Sequence, residues 1–202
     1  MQKITYILIV VVLFTSCATA KFTNYEQQIV AKTDNSGKLR VLLVENAVDS
    51  LVLYKKSKKI KADSSNTELT SFVEALYTTV KDPNNPGVGI AAPQVGISRK
   101  IIWVQRFDKE NEPFELYFNI KILNYSEAKQ DGTEGCLSVN GYRGTVNRSA
   151  EITIKYDTFY EKNITETITG FTAVIFQHEI DHLFGILYTD RITDETLLIR
   201  DL

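Results

Sequence analysis

His178 and His182 are the only histidines in a chain of 202 residues, and Glu179 directly follows the first of them. At about 100° per residue the two imidazoles lie about 40° apart on a helix, with Glu179 about 60° beyond His182, so all three can point at one spot. Two imidazoles so placed can bind a first-row metal ion, and the carboxylate can reach its water as a general base. The plainer alternative is a hydrogen-bonded pair of core histidines beside a salt-bridged glutamate. A catalytic site would need a third ligand and an open position. Downstream of His182 there is no histidine, and the acids Asp190, Asp194 and Glu195 lie past the expected helix end. Upstream, Cys136 sits in Glu134-Gly135-Cys136-Leu137-Ser138, where glycine frees the backbone for close approach. It offers either a small buried apolar side chain or the missing thiolate ligand.

The element carrying the histidines is expected to run from about Phe171 to Gly185, a natural residue for the position just past a helix end. Phe171, Val174, Ile175, Phe176, Ile180, Leu183 and Phe184 make it apolar nearly all round, the pattern of a helix buried in a domain. Polar groups in such a helix need partners, because burying them unpaired is costly. Earlier in the chain, Ser65 and Glu68 have capping-box spacing before an apolar series from Leu69 to Val80, so a second amphipathic helix is expected there. It should stop in Lys81-Asp82-Pro83-Asn84-Asn85-Pro86, where two prolines remove donors. Strands are expected at 39–44, 101–105, 114–118 and 151–156.

With 44% apolar and 24% charged residues, the composition is that of one globular domain. A net charge of −2 argues against a nucleic-acid partner, whose phosphates call for a basic face. The run Lys55-Lys56-Ser57-Lys58-Lys59-Ile60-Lys61 is most simply a solvated segment. Residues 1–17 read as a signal peptide: Lys3 precedes an apolar run from Ile4 to Phe14 too short to span a bilayer. Its end, Phe14-Thr15-Ser16-Cys17, resembles the lipobox of bacterial lipoproteins. The expectations are a polar tether over 18–38, one catalytic domain over 39–202, and an exported protein facing the periplasm through a lipid on Cys17, with a cytoplasmic protein as the alternative. A monomer is expected.

Three stretches, Gly87-Val88-Gly89-Ile90-Ala91-Ala92-Pro93-Gln94, Glu134-Gly135-Cys136-Leu137-Ser138 and Gln177-His178-Glu179-Ile180-Asp181-His182, together resemble the signature motifs of the peptide deformylases, in the same order. The resemblance covers the chain from about Ser71 to Arg191. It implies an α+β fold with antiparallel strands packed around a central buried helix carrying HExxH. It also implies one divalent ion, Fe²⁺ before Zn²⁺, Ni²⁺ or Co²⁺, held by Cys136, His178 and His182. Glu179 would then be the general base, with Gln94 and the Leu137 N–H stabilising the oxyanion. The substrate would be an N-formylmethionyl peptide, lying beside Gly87 and Gly89, with Val174, Ile175 and Phe171 as candidate walls for the methionine side chain. Arg143 and Arg148 fall where the family carries arginines, and Arg148 is expected to brace Asp181.

The chain departs from the family pattern at Asn140 and Ile120, where proline is usual, in the Lys81 to Pro86 insert, and before Thr67. Two other functions fit part of the pattern: an HExxH metalloendopeptidase, and a non-catalytic lipoprotein that binds formyl-peptides. Glu179 speaks against the second, since a binding site has little need of a general base.

Overall fold

The computed structural model describes residues 21–192, 194 and 197–200. Its framework is a five-stranded antiparallel sheet in the order β1-β2-β3-β6-β7, formed by β1 (Gly89–Ala91), β2 (Ile101–Gln105), β3 (Phe114–Tyr125), β6 (Glu151–Asp157) and β7 (Ile164–Thr169). A second sheet joins β4 (Lys129–Cys136), β5 (Val139–Ser149) and β8 (Leu198–Arg200).

Side chains on a strand alternate between faces, and β2 shows what each face of the large sheet covers. Ile101 and Trp103 pack with the core around α3 (Thr67–Val80), whereas Ile102 and Val104 pack with the core around α4 (Gly170–Leu183). Adjacent Ile90 and Ala91 divide between the cores in the same way. In β3 the alternation is interrupted: Phe118 faces α3, yet Ile120 joins Tyr117 on the α4 side. The register shifts between Phe118 and Lys121, and Asn119 has a φ of 53°. Such a bulge needs support, which the Asn119 side chain supplies by bonding both backbone groups of Ile60 and the Asp157 carboxylate.

The helix α4 stops at Leu183, and Gly185 has a φ of 71°; a Cβ there would stand 2.3 Å from the Tyr54 carbonyl oxygen. No side chain but hydrogen fits that approach. Twelve α4 residues are buried, among them Gln177, His178, Glu179, Asp181 and His182. The cap of α3 differs from the expected Ser65 and Glu68 box. Asn66 is the cap, accepting from the N–H groups of Glu68 and Leu69, while Ser65 is bonded to Asp63. The apolar run Leu39–Val44 is not a strand. It is an extended connector whose Leu42 N–H donates to Gln94 O at 2.7 Å and whose Val44 N–H donates to Ser138 O at 2.9 Å.

The expected tether over 18–38 must be corrected for the residues described. A helix α1 (Asn24–Val30) starts from a capping box between Thr23 and Glu26, and Glu26 forms a buried ion pair with Arg99. Phe22, 6% exposed, meets Phe72 edge to face at 5.6 Å between ring centres. Most of this segment is polar, but those two anchors fasten it to the domain. The expected signal segment and Cys17 lie outside the described residues. No helix among the described residues is long and apolar enough to cross a membrane.

Phe22→Ala is expected to destabilise the chain by about 3 kcal/mol, as deletion of a buried ring does. Urea denaturation measures it; a loose tether would leave the transition midpoint unmoved.

Candidate active site

The geometry of α4 sets two imidazoles edge to face, at 75° to one another, with His178 Nε2 and His182 Nε2 3.2 Å apart. The hairpin of β4 and β5 brings in the third group, and Cys136 Sγ stands 3.3 Å from His182 Nε2. The three candidate ligand atoms all lie within 4.8 Å of one another. A tetrahedral ion with nitrogen at about 2.0–2.1 Å and sulfur at about 2.3 Å spaces neighbouring ligand atoms by roughly 3.3–3.6 Å. Both the donor set and its spacing therefore fit a divalent transition metal.

Buried ions hold these ligands in place. His178 Nδ1 is 2.7 Å from Glu134 Oε2, leaving Nε2 to face the thiol. Arg148 Nε donates to Glu134 Oε1 at 2.7 Å, and its Nη1 donates to Asp181, which also accepts from Arg191 Nη2 at 2.6 Å. Burial would raise the Glu134 carboxyl, but bonding to His178 and Arg148 holds it below the usual carboxylate range. Burial would likewise depress His178, but bonds to Cys136 and Glu134 keep its proton well above the imidazole norm. His182 is pushed well below that norm by burial and by the charge of His178. Two rings this close do not both charge.

Glu179 is 4% exposed, and its Oε2 has no hydrogen-bond partner among the described residues. Burial raises its pKa from the ordinary 4.5 to about 7. A Cβ on Gly89 would stand 2.5 Å from Glu179 Oε1, so glycine lets β1 pass directly against the carboxylate. That strand lies at the sheet edge. Gln94, on the 3₁₀ turn Ala92–Val95, has its orientation fixed at both ends. Its Oε1 accepts from the Ala91 N–H at 2.8 Å, and its Nε2 lies 3.4 Å from both Cys136 Sγ and Ser138 Oγ. Leu137 occupies the turn between β4 and β5.

Gly87, Gly89, Gln94, Cys136, Leu137, Phe171, Val174, Ile175, His178 and Glu179 all line one cavity of about 120 Å³. Val174 and Ile175 are buried, whereas Phe171 is largely exposed and meets Phe107 at a tilt of 53°, with ring centres 5.3 Å apart. A second cavity, about 330 Å³, shares Gly87, Val88, Gly135, Cys136 and Leu137 with the first and extends to Asn140, Tyr142 and Arg143. The sequence reading gave Glu134 no part beyond its motif and missed Arg191 and Phe107. An acid two residues before a candidate ligand cysteine, in a chain whose two histidines each have a second nitrogen to satisfy, was the available signal for Glu134.

Comparison with known proteins gives the family. The profile of the family described as Polypeptide deformylase matches residues 40–197. A peptide deformylase of Caulobacter vibrioides is 36% identical over 155 residues, covering 76% of this chain and 87% of that protein. One from Desulforudis audaxviator is 40% identical over 128 residues, covering 62% and 81%. Among solved structures, the class I type b peptide deformylase of Acinetobacter baumannii bound to Met-Ala-Ser superposes with a TM-score of 0.67 at 37% identity, covering 78% of this chain and 99% of that one. These relatives correct the expectation of an exported, lipid-anchored protein facing the periplasm, because the proteins matched are ordinary peptide deformylases.

Glu134→Gln should loosen the orientation of His178 and lower metal affinity about 10–100-fold, the usual effect of losing a carboxylate behind a ligand imidazole. Competition with a chelator measures it; unchanged affinity would deny Glu134 that part.

Proposed function

The chain belongs to the polypeptide deformylase family, and from that membership we propose how its own residues carry the family reaction. That reaction is metal-dependent hydrolysis of the formyl group of N-formylmethionyl peptides, giving formate and a free α-amino group. The observation that carries the residue-level reading is the unpartnered Glu179 Oε2, buried in a residue that lines the same cavity as Cys136 and His178, two of the three clustered candidate ligands.

Cys136, His178 and His182 would hold the divalent ion, which when bound supplies Lewis acidity, making water a stronger acid and polarising the formyl carbonyl. Of the ions the family uses we assign Fe²⁺, and a thiolate ligand makes such a site sensitive to oxygen. Glu179 takes a proton from the attacking water and later gives it to the leaving amine. Burial, which raises this carboxyl above the ordinary range, suits it to both transfers. As the formyl carbon becomes tetrahedral, its oxygen gains charge and needs donors. Gln94 Nε2, locked by its own carbonyl on Ala91, is one candidate, and the Leu137 N–H is the other. Each such donor is worth roughly 2.7–4 kcal/mol in comparable sites.

The peptide backbone would pair with the open edge of β1 near Gly87 and Gly89, as an added strand. Val174 and Ile175 form the apolar wall for the methionine side chain, with Phe171 at the rim. Glu134, Arg148 and Asp181 are bonded to one another and to His178, and so hold the helix and hairpin in register. An endopeptidase of the HExxH type would call for a third ligand downstream, where this chain has no histidine.

Formate release from formyl-Met-Ala by anaerobically prepared, iron-loaded protein tests the reading. Glu179→Gln should lower kcat by about 10²–10⁴ while one metal ion per chain is retained; equal turnover in the variant would remove Glu179 as the base. Iron should be the principal ion in protein purified without air, and exposure to air should abolish turnover, with Co²⁺ or Ni²⁺ reloading restoring it. Elemental analysis beside the assay checks both, and oxygen-stable activity would assign another native ion.

A further inference from the structure

The lysine-rich run after α2 (Ala47–Leu53) forms one wall of a cavity separate from the catalytic one. Lys55, Lys56 and Lys58 line about 180 Å³ together with Thr23, Ser98 and Arg99, and no residue of this cavity lines the catalytic one. Arg99 is 3% exposed. Its Nε donates to Glu26 Oε1 at 2.6 Å, and its Nη2 donates to Glu26 Oε2 at 2.8 Å and to the Lys21 carbonyl at 3.1 Å, so both of these nitrogens are taken. The third nitrogen, Nη1, is buried without an acceptor among the described residues. A buried cationic donor left unpaired is costly, and such groups in native structures ordinarily meet a partner.

Charge points the same way. Glu26, the cavity's only acid, is spent on Arg99 and on the Thr23 N–H. The three lysines have no ion pair among the described residues, so the concavity keeps their full positive charge. A concave surface of one sign concentrates counter-ions, and a guanidinium beside ammonium groups suits a tetrahedral, multiply charged oxyanion better than a carboxylate.

We propose that this cavity binds a small phosphate-bearing anion, with the Arg99 guanidinium at its floor and Lys55, Lys56 and Lys58 around its mouth. The site stands independently of the hydrolytic reading, since the two share no residue.

The test uses the full chain loaded with zinc, titrated at constant ionic strength with inorganic phosphate, pyrophosphate, glycerol 3-phosphate and chloride. The backbone amide signals of Lys58, Ser98 and Arg99 are followed by NMR. Saturable shifts centred on those amides are expected for the phosphates and not for chloride. Tighter binding of inorganic phosphate would identify a free ion, and tighter binding of glycerol 3-phosphate a phosphate carried on a larger molecule; either supports the site. Lys55→Gln with Lys56→Gln should weaken binding at least about tenfold, with formate release unchanged. Arg99→Lys should abolish it, and if that variant fails to fold, the lysine pair decides. Shifts that do not saturate, that match those of chloride, or that survive the lysine substitutions would overturn the proposal. So would saturable binding of a single-stranded oligonucleotide with none of pyrophosphate.

Discussion

The carboxylate of Glu134 joins the element that offers the thiol to the one that offers the imidazoles. It stands two residues before Cys136 in β4, yet both its oxygens are occupied, one by Arg148 of β5 and the other shared between Arg148 and His178 of α4. Arg148 continues to Asp181 on the same helix, and Asp181 continues to Arg191. Glu134, Arg148 and Asp181 could not be buried alone, since an unpaired buried charge costs several kcal/mol. Each tolerates burial because its neighbour does, and the common result is a fixed distance between Cys136 and the rings of α4.

The rest of the fold serves that distance. The large sheet separates α3 from α4, so α4 can be apolar nearly all round and still present its polar turn toward the hairpin. The bulge at Asn119 turns Ile120 toward α4 without a break in β3. The connector 39–44 bonds to the turn bearing Gln94 at one point and to the turn bearing Ser138 at another, tying two otherwise separate loops to one backbone.

What could be read in the sequence was whatever had a period or a rare residue. The apolar spacing of α3 and α4 marked both helices, and two histidines four apart in a chain with no others marked the chemistry. The hairpin of β4 and β5 could not be read so. Lys129–Cys136 has no apolar residue besides its cysteine: half of its residues are exposed, and its one buried side chain, Glu134, is held by Arg148. Pairing information of that kind lies in partners 14 and 44 positions away. The α1 segment failed for the same reason: its anchors are one phenylalanine and one glutamate, whose arginine lies 73 residues downstream. The run Leu39–Val44 misled in the opposite sense: Leu39 and Leu42 are buried, Leu39 in the core around α3, yet the segment joins no ladder.

Burial also explains why the site carries an intrinsic penalty. Glu179 is raised to about 7 mainly by desolvation, and Gly89 sits too close to allow any side chain that would shield or tether it. An acid whose folded pKa lies above its unfolded value holds its proton longer in the native chain. Its contribution to stability is therefore complete below about 4.5 and is lost as pH rises toward about 7, the range in which the carboxyl becomes able to accept a proton. The polar partners that would relieve this are present in the chain but committed elsewhere: Arg148 to Glu134 and Asp181, and Gln94 to Ala91. A carboxyl left without them is less stable when ionised and, for the same reason, a stronger base at neutral pH than a solvated glutamate.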